Sequence, residues 1–98
     1  MDKDELIRKL NSVGKQAFVE HFDLSQNFAS GRISRDQAID ELVKLEVSNE
    51  SGVGIRVGNA KLIFEAQKEM DALSIILESK RVPASVVATA RRLKQSIA

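Results

Sequence analysis

His21 is the one side chain in this 98-residue chain suited to proton transfer near neutral pH, and it stands without a second histidine or any cysteine. Nucleophilic catalysis would need a group to hold its tautomer and a hydroxyl to activate, and no Ser/His/Asp grouping can be singled out. A single imidazole with no thiolate also leaves too few ligands for a transition metal. The sequence therefore predicts no catalysis, no cofactor and no metal. His21 and Asn59 instead occupy matching positions in two apolar stripes, where a polar residue can specify register or oligomeric state.

The charges carry a second possibility. Net charge is +1, yet residues 80–98 hold Lys80, Arg81, Arg91, Arg92 and Lys94 without an acid, so the rest of the chain is net −4. A cationic pole on an anionic body can bind nucleic-acid phosphates, although no aromatic residues interleave the cluster to stack on bases. Its bland counterpart is a solvated helix face, or a pole that docks on the acidic body of a second copy.

Three short segments echo known motifs. Gly52-Val53-Gly54-Ile55-Arg56-Val57-Gly58 is glycine-rich like a phosphate-binding loop, but it follows no strand, its spacing differs from the nucleotide fingerprints and no Gly-Lys-Ser/Thr follows. Ser30-Gly31-Arg32-Ile33-Ser34 is similar to the centre of an EF-hand loop. With Gly31 in the glycine slot, the ligand positions fall on Gln26, Phe28, Ser30 and Gln37, none a carboxylate, so a helical corner is expected rather than a calcium site. Leu42 to Ser51 resembles the turn of a helix-turn-helix. Glu46 stands where that turn favours glycine, and Glu50 would repel phosphates at the start of the reading helix, leaving Arg56 as the residue nearest the bases.

These residues must be held by helices. Apolar residues make up 43% of the chain and charged ones 30%, with four Phe, no Trp or Tyr and one Pro, which suits a packed all-α domain spanning residues 1–98. No run approaches the roughly 18 apolar residues of a membrane span. The acidic start, Met1 to Glu5, is followed by no apolar run of signal length, so the expected setting is cytoplasmic, away from membranes.

Four helices are expected, the first and third long. The first, capped by Asp2 or Asp4, carries Leu6, Leu10, Val13, Ala17, His21, Leu24 and Phe28 at steps of three and four, with Gly14 its weak point. Gly31 should end it in a left-handed cap. Ser34 and Gln37 form a capping box for a short second helix from Arg35 to about Leu45, with Ile33 stapled onto Ala38. The third helix, from Ser48 or Asn49 to Ser79, repeats the stripe as Ile55, Asn59, Leu62, Ala66, Met70, Leu73 and Leu77. A second row, Val53, Val57, Ala60 and Phe64, lies well round from it. Pro83 opens the basic last helix at 84–97, with Val86, Ala90, Leu93 and Ile97 inward.

A third helix of that length would run about 45 Å, against a radius of gyration of about 13 Å for a compact chain of this size. It must bend near Gly54 and Gly58, or a second copy must cover what protrudes. The expectation is a packed or intertwined homodimer joined through Leu62, Ala66, Met70, Leu73 and Leu77 or through the Leu6 to Phe28 stripe. Such a dimer is read as a small regulatory or adaptor module that binds a protein partner. The alternative is a DNA-associated regulator using Arg56, Lys80, Arg81, Arg91, Arg92 and Lys94.

Overall fold

The computed structural model describes residues 1–45 and 50–97. The expected caps at Ser48 or Asn49, the turn through Glu46 and the inward side of Ile97 lie outside what is described. The described residues are all-helical, with seven helices: α1 (Lys3–Val13), α2 (Lys15–Glu20), α3 (Phe22–Ala29), α4 (Arg35–Leu45), α5 (Glu50–Glu65), α6 (Glu69–Glu78) and α7 (Ala84–Ile97). The count exceeds four because both long helices are broken.

The first breaks twice. Asp2 caps α1, its carboxylate accepting from the Glu5 N–H at 2.8 Å. Gly14 then takes φ +94° and ψ 128°, a conformation that glycine adopts without the steric cost of a Cβ. The turn is tight, for the Gly14 N–H still donates to the Leu10 carbonyl and the Gly14 carbonyl accepts from Phe18. A milder distortion at His21, φ −112° and ψ 27°, separates α2 from α3. Gly31, at φ +81°, closes α3 as expected: Arg32 N–H reaches the Asn27 carbonyl and Gly31 N–H the Phe28 carbonyl, the pair of bonds that defines a Schellman cap.

The capping box is formed. Ser34 Oγ accepts from the Gln37 N–H at 3.1 Å, and Gln37 Oε1 accepts from the Ser34 N–H at 2.8 Å. Ile33 packs on the cluster that contains Ala38.

The third helix ends at Glu65, and its break lies elsewhere than the sequence implied. Gly54 and Gly58 both sit inside the unbroken α5. The chain turns instead at Ala66 to Lys68, where Gln67 takes φ +58°. Lys68 N–H donates to the Ile63 carbonyl and Gln67 N–H to the Phe64 carbonyl, a second Schellman cap built on a residue with a Cβ. Two helices of about 24 and 15 Å replace one rod, and the described molecule measures 32 × 26 × 25 Å with a radius of gyration of 12.5 Å. Nothing overhangs, so the length of this segment no longer calls for a second copy.

α5 is the element the others surround, packing on α1, α3 and α4, while α6 packs chiefly on α7. Its first half, through Val53 and Val57, belongs to a cluster with Phe28, Ala38, Ile39 and Leu42. Its second half, through Ala60 and Ile63, belongs to the main core with Leu10, Phe18, Leu73 and Ile76. At Gly54 an added Cβ would stand 3.0 Å from the Arg35 guanidinium and 3.8 Å from Ile39 Cδ1, so this glycine lets α4 approach closely.

Three phenylalanines anchor the main core. Phe18 meets Phe22 edge-on at 5.7 Å and Phe64 nearly parallel at 5.8 Å, while Phe22 and Phe64 meet at 4.9 Å. Such pairs add about 0.5–1.5 kcal/mol each beyond area burial.

Candidate functional site

The two apolar rows of the third segment, both expected to be covered, differ in burial. Val53, Val57, Ala60 and Ile63 are buried, whereas Ile55 is 62% exposed and Leu62 44% exposed. The remainder of the expected dimer stripe divides between environments. Leu73 is fully buried in the chain's own core, Leu77 packs half-buried against it, and Ala66 and Met70 are half-buried. One helix turn past the break, the stripe rotates into the interior because α6 takes a new direction. The five residues Leu62 to Leu77 therefore do not form one surface.

α5 exposes Ile55, Leu62 and Glu65, and the half-buried Gly58 and Asn59 lie between the first two, spaced by three, one and three on a single helix face. The side-chain amide of Asn59 donates to Ser12 Oγ of α1 at 2.9 Å. Beside Gly58 there is open space within 4 Å of where a Cβ would stand. Between the two exposed aliphatic residues lie a polar contact and a glycine with no side chain.

His21 is half-buried at the α2–α3 junction and lines a cavity of about 10 Å³ with Val13, Ala17, Ser25, Leu42, Arg56, Val57 and Ala60. That is the space of about one water molecule, and no carboxylate borders it. Arg56, expected nearest the bases, is half-buried in this same cavity wall. His21 and Asn59 are thus held in different parts of one chain. Among the described residues no group of three or more His, Cys, Asp or Glu could hold a metal ion.

The basic residues of the C-terminal stretch divide between a loop and a helix. Lys80 and Arg81 are exposed in the α6–α7 connection, and Arg91 and Arg92 are exposed on α7, with Lys94 half-buried. Val86 and Ala90 face the core and Leu93 packs against it. Pro83 stands one position before the first helical residue, its carbonyl accepting from Val86 and Val87.

Larger depressions also mark the surface among the described residues. A groove of about 300 Å³ between the chain's start and α6 sets Lys3 and Lys68 against Asp2, Asp71 and Glu78, so its charges offset one another. An open crevice of about 400 Å³ between α1 and Asn59 mixes Glu5 with Arg8 and Lys9. A cleft of about 240 Å³, lined by Asn11, Gly14, Lys15, Gln16, Ser79, Arg81, Val82 and Pro83, carries cations and no acid. Lys15 belongs to none of the motifs visible in the sequence. The one linear signal was Gly14 directly before it.

No protein-family model matches this chain, and neither a curated protein nor a solved structure is significantly similar to it.

Proposed function

We propose that this protein is a small helical interaction module, regulatory or adaptor in type, which self-associates through the outward face of α5. The observation that supports this is the exposure of Ile55, at 62%, and of Leu62, at 44%, on one face of the helix that organises the fold. Isolated exposed aliphatic residues are ordinary, but two of them flanking a glycine with open space beside it make a flat, apolar strip on which a second helix can lie. Gly58 admits the backbone of the partner helix, and Asn59, tied to Ser12, is a polar mark in the strip that favours one register.

Molar mass in solution over a concentration series tests this, using the intact chain, Ile55→Glu and Gly58→Ala. Gly58→Ala is the sharper variant. With nothing beside the Cβ, a lone chain gains about 1 kcal/mol of helix propensity, whereas a helix crossing at this point is pushed apart. The expected outcome is a dimer for the intact chain and a more stable but monomeric Gly58→Ala. A chain that stays monomeric at high concentration removes the proposal.

A second reading, a DNA-associated regulator, draws support from the exposed Arg91 and Arg92 on α7 and from Lys80 and Arg81 in the loop before it. It rests on phosphate attraction by this pole, not on base reading by α5, whose Arg56 is half-buried in a cavity wall. Phosphate binding weakens steeply with salt and with reversal of the arginines, while an apolar interface responds little to either. Titration of duplex DNA at two salt concentrations with Arg91→Glu/Arg92→Glu separates the two.

A further inference from the structure

The cleft where the α1–α2 bend meets the α6–α7 connection is lined by two cations and no acid. Lys15 and Arg81 enter it from segments far apart in sequence, with Asn11, Gln16 and Ser79 between them. Neither cation forms an ion pair among the described residues. Lys15 Nζ instead donates to Ser79 Oγ at 3.4 Å, which leaves the serine hydroxyl proton available to another acceptor. Gln16 has its amide turned to Glu20 Oε1 at 2.8 Å, so Asn11 and Ser79 are the neutral donors left.

Two like charges brought into one crevice repel each other, and neither is paired with a carboxylate among the described residues. An anion would relieve that repulsion and gain charge-assisted hydrogen bonds from both. Several features suit a tetrahedral oxyanion in particular. Its oxygens accept from several directions at once, matching an ammonium, a guanidinium, an amide and a hydroxyl carried on two separate segments. Pro83, which lines the cleft, directly precedes the 14-residue α7, whose N-terminal end carries the positive end of the helix dipole.

We infer that this cleft is a subsite for a phosphoryl group, held by Lys15 and Arg81 with Asn11 and Ser79. The phosphoryl group belongs either to a nucleic-acid backbone or to a free phosphate or mononucleotide. The subsite uses neither the α5 face nor the α7 arginines, and shares only Arg81 with the DNA reading. Gly14 is what builds it, because its positive φ turns the chain so that Lys15 meets Ser79.

Amide NMR titrations of the intact chain with sodium phosphate, a mononucleotide and a short DNA duplex, each against sodium chloride at equal ionic strength, test the assignment. At least one phosphate compound should shift the amides of Asn11, Lys15, Ser79 and Arg81 beyond the chloride control. Lys15→Gln and Arg81→Gln, both surface changes whose folding the remaining amides report, should each weaken that binding about tenfold or more. The tightest of the three compounds identifies the source of the phosphate. The subsite is refuted if none of them moves these amides, or if the shifts survive in Lys15→Gln/Arg81→Gln. Should the duplex bind and shift only the amides around Arg91 and Arg92, the subsite fails while the DNA reading stands.

Discussion

Gln67→Gly reads the architecture through the sign of one free energy. Gln67 is exposed, makes no side-chain hydrogen bond among the described residues, and holds φ +58° at the C′ position of α5. An L-residue pays roughly 1–2 kcal/mol in the left-handed region, while glycine pays about 0.5–1 kcal/mol for the extra freedom it loses on folding. The difference predicts a gain of about 0.5–1 kcal/mol. For a chain of this size that raises the melting temperature by roughly 2–6 °C. If residues 50–78 formed one continuous helix instead, the same glycine would fall in a helix interior and cost about 0.5 kcal/mol relative to glutamine. Urea denaturation and thermal melting followed by circular dichroism measure the difference, with Gln67→Ala as a control expected to gain nothing. A destabilised Gln67→Gly would refute the turn at Ala66 to Lys68, and with it the compact arrangement of α5 and α6.

Gly14→Ala runs the opposite way. Its Cβ would find space, 3.8 Å from that of Ala17, but φ +94° is strained for alanine, so chemical denaturation should show a loss of about 1–3 kcal/mol. Phe18→Ala opens a cavity among Phe22, Phe64 and Leu10 and should cost about 3–5 kcal/mol, a large share of the roughly 5–15 kcal/mol available to such a domain. The midpoint shift in urea checks it. Ser34→Ala removes half of the capping box and should lower stability by about 1 kcal/mol, with amide exchange accelerated in the first turn of α4. Replacing Asn59 by Leu breaks its bond to Ser12 without burying a large group. If Asn59 sets register, the variant should populate more than one oligomeric species in sedimentation, and a single unchanged species would dismiss that role.

Local chemistry made much of this molecule legible before its fold was known. Helical class follows from apolar spacing at three and four; Asp2, Gly31, and Ser34 with Gln37 act within four residues of themselves, so their caps are readable from neighbours alone. The inward residues Val86 and Ala90 were readable too, since α7 has one apolar face. α5 has two. Periodicity cannot choose between the Ile55–Leu62 row and the Val53–Val57–Ala60 row, and the choice was made by α3 and α4 packing on one of them. The break at Gln67 carried no glycine or proline to announce it. It exists because turning α6 back buries Ala72, Leu73 and Ile76 against Leu10 and Phe18, a gain larger than the strain of one left-handed glutamine. The meeting of Lys15 with Ser79 and Arg81 depends on that same return of the chain. Sequence determined the pieces and their caps, and tertiary packing alone decided which faces stayed outside, because burial is a property of pairs of elements rather than of any one of them.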